Sequence, residues 1–429
     1  MEKQARELNA LLDVSVVGKV LSPYGRNAFF PKGIVAQSQE AADKAYFIDA
    51  TAGVAKEQGR YISHSVFSQA APQLSTDALV SYAPTAGNRS LRELWQKELA
   101  RKNPDLSVAT CSLPIVTGGL THALSIAADL FVDANDTVII PSPCWDNYDQ
   151  IFRIRRKSAV LSPSLFNHQL QFTLKEVEQA LCAIESEKIV IVLNFPNNPT
   201  GFTPSEKEMF ELRDLLVDKA CKGTKVVVII DDAYFGLFHD ATAYSQSLFA
   251  LMQDVHENIL AIKCDAATKE ALVWGFRVGF ITYGTRGMTE PVRLALEEKT
   301  KGAIRSSVSS CSQVSQSLLL EAMHNPAYYS EVASVQKKIA QRYAIIKDEL
   351  NRRSDSSLLY PYPFNSGYFC SLYCDARAEI LRKYVLKHHG IGIVSLGSHM
   401  VRIAYSAVDD YQIPEIIDVM YQSAEVVWT

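Results

Sequence analysis

Between residues 112 and 283, short apolar runs alternate with longer stretches that mix apolar and polar residues. Most of the runs are rich in valine and isoleucine, which is typical of buried β-strands. Several are followed within two residues by proline, glycine or aspartate, which commonly end strands. The runs are LPIV (113–116), TVII (137–140), SAVL (158–161), IVIVL (189–193), KVVVII (225–230), ILAIK (259–263) and GFITYG (279–284).

The stretches between the runs have helical spacing, as THALSIAADLF (121–131) illustrates. The residues that share its apolar face are Ala123, Ile126, Ala127, Leu130 and Phe131. Alternating strands and helices predict an α/β fold with a mostly parallel, seven-stranded sheet covered by helices on both faces. In such sheets, ligands bind beyond the carboxyl ends of the strands. Candidate chemistry is therefore expected there.

The two ends of the chain have a different pattern. Residues 1–45 are mostly helical and polar, and the segment 325–350 predicts one long helix, followed by short strands around GYFCSLY and GIGIV and a closing helix. Chain termini often lie close together, so we expect both ends to form a second, smaller α+β domain. This predicts an N-terminal segment at 1–45, a large domain at 46–320 and a C-terminal small domain at 321–429.

Composition and charge exclude several classes of protein. The formal net charge of the 429 residues is -4, and the longest basic block is RIRRK (153–157), so the chain lacks the charge pattern of a nucleic-acid binder. No stretch approaches the roughly 18 apolar residues of a membrane-spanning helix, and the N-terminus lacks a signal-peptide core. The eight cysteines are scattered and complete no zinc pattern. We interpret them as reduced thiols of a cytoplasmic protein that holds no metal.

Chemically distinctive residues follow several of the predicted strands. PSPCWDNY (141–148) supplies an aromatic ring, NFPNNPTG (194–201) an amide, DDAYFGLF (231–238) an acid and a tyrosine, and CDAATKEAL (264–272) a lysine. TGGLTHAL (117–124) is a glycine turn that enters a helix, and its unpaired N–H groups suit a phosphate. Together these groups describe a flat aromatic ligand with a phosphate, a ring nitrogen and a carbonyl. Pyridoxal phosphate has all of these features.

Each of these residues also has an ordinary structural interpretation. Lys269 alone is typical of a solvated charge, Asp231 alone of a turn or helix cap, and Trp145 alone of a core residue. NNPTG and TGGLTHAL alone are weak signals. Their order at successive strand ends favours the joint functional interpretation.

The same motifs resemble those of the fold-type-I, class I aminotransferases, the aspartate/aromatic aminotransferase group. The resemblance covers roughly residues 45–410 and includes NNPTG, DDAY, Lys269 with Arg277 eight residues later, and VRIAYS (401–406). It implies that Lys269 forms the Schiff base and later moves a proton, that Asp231 pairs with the pyridine nitrogen, and that Tyr234 reaches the ring hydroxyl. The other cofactor-binding residues it implies are Gly119, Leu120, Thr121, Trp145, Asn198, Arg277 and Tyr82. Thr268 is a further cofactor-binding candidate, which like Tyr82 could compensate for a missing serine at position 266.

The resemblance also implies substrate contacts and a homodimer. Tyr82 is similar to a tyrosine that reaches the phosphate of the neighbouring subunit. Arg402 resembles the arginine that binds the substrate α-carboxylate, and Gly53 resembles a glycine whose backbone contacts the same group. Arg305, in GAIRSSVSS, lies where aspartate-specific members carry an arginine that reaches across the dimer to a side-chain carboxylate. A surface or interface arginine is the alternative for Arg305.

Three positions depart from the family pattern. Ala266 stands where the family often has a serine on the phosphate, which leaves one phosphate contact open. Asp265 is an unusual charge close to the cofactor, and a turn residue that caps the next segment is an equal alternative. DDAY carries a second acid, Asp232, and we choose Asp231 because Tyr234 follows it at the family spacing.

The function expected from these motifs is transamination by a ping-pong mechanism through an aldimine on Lys269. The amino donor would be aspartate, glutamate or an aromatic amino acid, and the acceptor a 2-oxo acid such as 2-oxoglutarate. A pyridoxal-phosphate β-lyase acting on a sulfur amino acid is the alternative, because the pocket decides the fate of the carbanion. A ligand-sensing regulator would need a DNA-binding module, and residues 1–45 are too short and insufficiently basic.

Overall fold

The computed structural model describes residues 2–30 and 33–428. Its strands are β1 (Ile48–Asp49), β2 (Lys56–Glu57), β3 (Arg60–Tyr61), β4 (Ile115–Thr117), β5 (Thr137–Ile139), β6 (Ala159–Leu161), β7 (Lys188–Asn194), β8 (Lys225–Asp231), β9 (Ile259–Ala266), β10 (Gly279–Gly284), β11 (Leu359–Pro361), β12 (Phe369–Cys374), β13 (Ile391–Gly392), β14 (Val394–Leu396) and β15 (Met400–Ala404). Its α-helices are α1 (Lys3–Leu12), α2 (Val16–Val20), α3 (Pro23–Asn27), α4 (Ile34–Lys44), α5 (Ser65–Ala70), α6 (Thr76–Val80), α7 (Arg89–Lys102), α8 (Leu120–Phe131), α9 (Lys175–Ala183), α10 (Glu206–Cys221), α11 (Leu248–Met252), α12 (Ala267–Glu270), α13 (Glu290–Ser307), α14 (Gln313–His324), α15 (Ala327–Asn351), α16 (Ala378–His389) and α17 (Ile413–Trp428).

The seven predicted strands form one sheet in the order β4-β10-β9-β8-β7-β5-β6. Strand β10 runs antiparallel to both of its neighbours, and the remaining pairs are parallel. The prediction of a mostly parallel seven-stranded sheet is therefore confirmed. Parallel neighbours bring the carboxyl ends of β5, β7, β8 and β9 to the same edge.

Both faces of the sheet are buried, which explains why its strands are continuously apolar rather than alternating. Along β8, Val227 and Ile229 pack into the core beneath α8, whereas Val226, Val228 and Ile230 pack into the core beneath α10 and α11. Successive side chains of a strand point to opposite faces. The odd-numbered positions of β8 thus face α8.

The two ends of the chain meet, as the sequence predicts. Strand β1 pairs in parallel with β13, and α4 packs against β13, β14 and α16. The C-terminal strands form a smaller antiparallel sheet in the order β11-β12-β15-β14. The fold is thus a helix-covered, mostly parallel sheet with a smaller domain. The limits 1–45, 46–320 and 321–429 stay a prediction.

Other features bear on the classes of protein considered above. Within residues 2–30 and 33–428, no helix combines the length and apolarity that crossing a membrane requires. The same residues contain no group of three or more histidine, cysteine, aspartate or glutamate side chains arranged to hold a metal ion. All eight cysteines are free thiols.

Candidate active site

A cavity of about 160 Å³ opens at the sheet edge where β7, β8 and β9 end. Most of the predicted cofactor residues line it. They are Leu120, Thr121, Trp145, Asn198, Asp231, Tyr234, Thr268, Lys269 and Arg277. A larger groove of about 890 Å³ lies between residues 142–171 and 347–373, but none of the predicted site residues line it. The chemistry that the sequence predicts is therefore gathered in the smaller cavity.

Asp231 is the last residue of β8 and the buried acid of the cavity. Its carboxylate accepts hydrogen bonds from the Tyr148 hydroxyl at 2.6 Å and from the Ala233 N–H at 3.0 Å. Burial raises the pKa of Asp231 to about 6, and the hydrogen bond from Tyr148 opposes that rise. Sequence reasoning missed Tyr148. The available signal was its position three residues after Trp145 in the same segment.

Lys269 lies in α12, the short helix that follows β9. Its Nζ has no hydrogen-bond or ion-pair partner among the described residues, and it lies 5.4 Å from the centre of the Tyr234 ring. Burial, helped by the nearby Arg277 cation, lowers the pKa of Lys269 to about 8, while Asp231 opposes the shift. A larger fraction of its amine is therefore neutral and nucleophilic than at an exposed lysine.

The turn before α8 forms an anion-binding corner with Arg277. Gly119 has a φ of +93°, and a Cβ there would collide with the Arg277 guanidinium. The N–H groups of Leu120 and Thr121, at the first two positions of α8, have no place in the helix's own hydrogen-bond ladder. Arg277 Nη1 donates to the Trp274 carbonyl at 3.2 Å. Two free N–H groups, a helix N-terminus and a guanidinium together suit a phosphate.

Arg402, on β15, is 2% exposed and reaches the cavity through Asn198, one of the residues that line it. Its guanidinium donates to Asn198 Oδ1 at 3.0 Å and to the Thr51 carbonyl at 2.9 Å, and it stacks 4.1 Å from the centre of the Phe369 ring. Its Nε has no partner among the described residues. Burial lowers the pKa of Arg402 to about 10, so the residue stays cationic at neutral pH.

Gly53 lies beside Phe369 and Tyr234, and Tyr234 lines the cavity. A Cβ at this position would come within 2.9 Å of Phe369 Cζ and 3.0 Å of the Tyr234 hydroxyl oxygen. Such distances leave no room for a side chain, so the backbone itself borders the space beside Tyr234. Burial raises the pKa of Tyr234 well above its ordinary value, so its hydroxyl keeps its proton.

Gly53, Gly119 and Arg402 do not line the cavity but lie beside residues that do, whereas two further predicted residues lie at the surface of the single chain. Tyr82 is 92% exposed in the loop before α7, and Arg305, near the end of α13, donates to Ser309 Oγ at 2.6 Å. These are the two residues for which the sequence predicts a role across a subunit boundary. Their part in the site stays a prediction.

The three departures from the family pattern have distinct positions. Ala266 lines the cavity, so position 266 offers no side-chain hydroxyl, and Thr268, two residues later, is one of the hydroxyl-bearing residues that do line it. Asp231 lines the cavity, whereas Asp232 forms an ion pair with Lys263. The capping interpretation of Asp265 is wrong, because its carboxylate accepts a hydrogen bond from Trp95 Nε1 at 3.0 Å and α12 has no side-chain cap.

Known proteins resemble this chain in sequence. Residues 53–420 match the family described as "Aminotransferase class I and II". The chain is 27% identical over 281 residues to the probable N-acetyl-LL-diaminopimelate aminotransferase of Bacillus subtilis, an alignment that spans 66% of this chain and 64% of that protein. It is 25% identical to the probable aspartate/prephenate aminotransferase of Aquifex aeolicus, over 73% of this chain and 75% of the relative.

Solved structures share the fold. An aminotransferase from Anaerococcus prevotii superimposes with a TM-score of 0.82 at 20% identity, over 92% of this chain and 98% of that one. The aspartate aminotransferase of Thermus thermophilus with maleate gives a TM-score of 0.75 at 21% identity, over 94% and 99% of the two chains. This chain belongs to the class I and II aminotransferases, a family of pyridoxal-phosphate-dependent transferases.

Proposed function

We propose that this protein transfers an amino group between an amino acid and a 2-oxo acid, with pyridoxal phosphate as its cofactor. The observation that carries the proposal is the meeting of an unpaired lysine amine, a buried carboxylate and an anion-binding corner in one cavity, at Lys269, Asp231 and Arg277. The larger groove offers no comparable set of groups.

The residues of the cavity fit the cofactor group by group. The corner formed by Gly119, the start of α8 and Arg277 would hold the phosphate, since the missing Cβ at Gly119 lets the guanidinium approach the turn closely. Asp231 would accept a hydrogen bond from the protonated ring nitrogen, and Lys269 Nζ would bond covalently to the aldehyde carbon. Trp145, with its ring 5.6 Å from that of Tyr148, would cover the ring face. When bound, the cofactor supplies an electron sink that stabilises negative charge on the substrate Cα.

The chain's own residues account for orientation and proton transfer. Arg402 would bind the substrate α-carboxylate, because its guanidinium is buried, cationic and hydrogen-bonded to Asn198, a residue that lines the cavity. Holding the carboxylate there fixes the direction of the Cα–H bond, and such positioning lowers barriers by several kcal/mol in general. Lys269, whose pKa of about 8 leaves part of its amine neutral near pH 7, would take the proton from Cα.

The finer assignment is a homodimer that accepts a dicarboxylic amino acid, aspartate or glutamate, with aromatic donors as further candidates. Tyr82 and Arg305 lie at the surface of the single chain, as side chains that serve a partner subunit's site would. Curated relatives from Pyrococcus horikoshii and Rhizobium meliloti bear the name aspartate aminotransferase, at 23% and 25% identity.

Absorbance spectroscopy tests the proposal directly. The purified protein, loaded with pyridoxal phosphate, is titrated separately with aspartate, glutamate, tyrosine and alanine. We expect one or more of them to convert the cofactor spectrum to that of its aminated form, with one equivalent of 2-oxo acid released and no ammonia. In a separate titration with cysteine, release of pyruvate, ammonia and sulfide, with the cofactor spectrum restored, would contradict transamination and support the lyase. A wild-type protein that binds no pyridoxal phosphate would contradict the cofactor assignment.

Gly119→Ala should weaken pyridoxal phosphate binding by about tenfold or more, because the new methyl group displaces the Arg277 guanidinium from the phosphate corner. Equilibrium titration of cofactor absorbance measures the effect. Gly223→Ala is the matched control, since Gly223 has a similar φ of +95° but no heavy atom within 4 Å of a Cβ. Equal losses of affinity in both variants would show that backbone strain, not Arg277, is responsible.

Arg305→Gln should lower kcat/KM for aspartate and glutamate by about ten- to a hundredfold, while kcat/KM for alanine changes little, because a guanidinium pairs specifically with a side-chain carboxylate. Steady-state kinetics with the three donors measures the change. Lys299→Gln removes an exposed charge from the same helix and is the control. Unchanged kcat/KM for all three donors would assign Arg305 to the surface instead, and a parallel loss with all of them would assign it to the interface.

A further inference from the structure

A buried ion group lies on the side of the sheet that faces away from the cavity. It consists of Lys263, Asp232 and Asp265, whose residues are 1%, 3% and 4% exposed. Lys263 Nζ forms an ion pair with Asp232 and lies 3.7 Å from Asp265 Oδ2. Aspartate and lysine are almost never fully buried unless they are paired.

The register of the sheet explains why the group faces away. Asp231 pairs with Cys264 between β8 and β9, and Ile230 pairs with Lys263. Cys264 packs into the core beneath α8, so Lys263 and Asp265, one residue to either side, point to the opposite face. The ion group therefore lies directly behind the strand ends that carry Asp231 and lead to Lys269.

Contacts to neighbouring side chains fix the ion group in place. Ser247 Oγ donates to Asp232 Oδ2 at 2.6 Å, Trp95 Nε1 donates to Asp265 Oδ2 at 3.0 Å, and the Phe235 ring centre lies 4.6 Å from Lys263 Nζ. Asp265 Oδ1 has no partner among the described residues. One cation thus faces two carboxylates, and the group bears a net charge of about -1 when both acids are ionised.

Stability alone does not account for such an arrangement. Replacing a buried ion pair by well-packed apolar residues is often neutral or stabilising, so the group brings no evident gain in folding free energy. Its position is more informative, since Asp232 is covalently next to Asp231 and Asp265 lies four residues before Lys269. Buried charges at such short range act on each other through a weakly screening interior.

We propose that Lys263 is a positioning residue of the active site, which offsets Asp232 and Asp265 and thereby sets the negative charge behind Asp231 and Lys269. This inference rests on the proposed function, because it concerns the residues that would hold the cofactor. Lys263 touches neither the cavity nor any group in it and acts only through its charge.

Other titratable groups lie near Asp231 and near the ion group, and they contribute to the local electrostatic potential as well. Asp231 is faced by Tyr148, Tyr234, Cys264 and Lys269 on the cavity side, and Asp232 adds to the effect of burial in raising its pKa. On the far side, the ion group is faced by Glu270 of α12, which itself pairs with Lys102 of α7. Although burial opposes the charge of Lys263, Asp232 and Asp265 together raise the pKa of its amine.

The sign of the effect follows from charge alone. Loss of Lys263 adds net negative charge behind the cavity and should raise the pH at which nearby groups release their protons. Loss of the Asp232 charge should do the opposite. The test compares Lys263→Met, Asp232→Asn and the double variant, all loaded with pyridoxal phosphate.

The readout is the pH midpoint of the change in the bound cofactor's absorption, together with the acid limb of kcat/KM. We expect both midpoints to rise by about one pH unit in Lys263→Met, to fall in Asp232→Asn, and to return close to wild type in the double variant. Arg342→Met removes another fully buried cation, paired with Asp410 away from the cavity, and should lower stability without moving either midpoint.

The possible outcomes separate the two proposals. Midpoints that are higher than wild type in Lys263→Met and lower in Asp232→Asn would support the role of Lys263. Equal midpoints in wild type and Asp232→Asn would overturn it, even if Lys263→Met fails to fold. Equal midpoints with normal transamination would leave the proposed function intact. A wild-type protein that binds no pyridoxal phosphate would overturn both.

Discussion

Replacing Lys269 by alanine should abolish turnover, with a loss in kcat of at least about 10⁴-fold. The variant removes the only lysine amine that borders the cavity within the described residues, and with it both the covalent hold on the cofactor and the base for the substrate Cα. The fold should persist, because Lys269 Nζ has no hydrogen-bond or ion-pair partner to leave unsatisfied in the described part of the chain. Steady-state kinetics measures the loss of kcat, and thermal unfolding measures whether the fold persists.

A chemical label makes the Lys269 prediction residue-specific. Borohydride reduction of the wild-type protein loaded with pyridoxal phosphate should fix the cofactor to the peptide that contains Lys269, as mass spectrometry can establish. The alanine variant should bind the cofactor without being labelled. Labelling of a different lysine in the wild type, or normal turnover by the variant, would contradict the assignment of Lys269.

Much of the fold could be predicted from the sequence, because strands buried on both faces leave a strong local signal. All seven predicted apolar runs belong to the main sheet, and the run KVVVII lies within β8 (Lys225–Asp231). Helix α8 begins one residue before the predicted stretch and buries Ala123, Ile126 and Ala127 from its predicted face. Helix α15 (Ala327–Asn351) also lies where the sequence predicts it.

The same doubly buried strands hide which face a residue occupies. In a run without alternation, the period-two signal that separates the two sides of a strand is absent, so Lys263 could only be taken as the end of ILAIK. The ion group of Lys263, Asp232 and Asp265 emerges only when β8 and β9 are in register. Likewise, the hydrogen bond between Tyr148 and Asp231 joins residues 83 positions apart and leaves no local trace.

The roles of Tyr82 and Arg305 are hard to predict from the sequence for a different physical reason. A single chain places both side chains on its surface, so the roles proposed for them require a second copy, whose contacts no local pattern encodes. The sequence predicts them only through the family resemblance. This is why the Arg305 experiment tests specificity, a property that responds to the assembled site.

Asp231→Asn should lower kcat by about a thousandfold, with a smaller effect on stability. Asparagine has nearly the same shape and can still accept the hydrogen bond from Tyr148, but it carries no negative charge to hold a proton on the cofactor's ring nitrogen. Because burial raises the pKa of Asp231, the neutral amide should cost the fold little. Asp232→Asn is the matched change one residue along the chain, and because its side chain faces away from the cavity it should lower kcat by less than about tenfold.

The pH dependence of cofactor affinity distinguishes a missing charge from a disturbed shape. With its pKa of about 6 in the cofactor-free protein, Asp231 is ionised above that pH and takes up a proton below it. Wild-type affinity for pyridoxal phosphate should therefore fall more steeply than that of Asp231→Asn as the pH drops through 6. The cofactor's own titration affects both curves equally, so it is removed when one curve is subtracted from the other. Parallel curves would mean that the carboxylate charge does not hold the ring nitrogen.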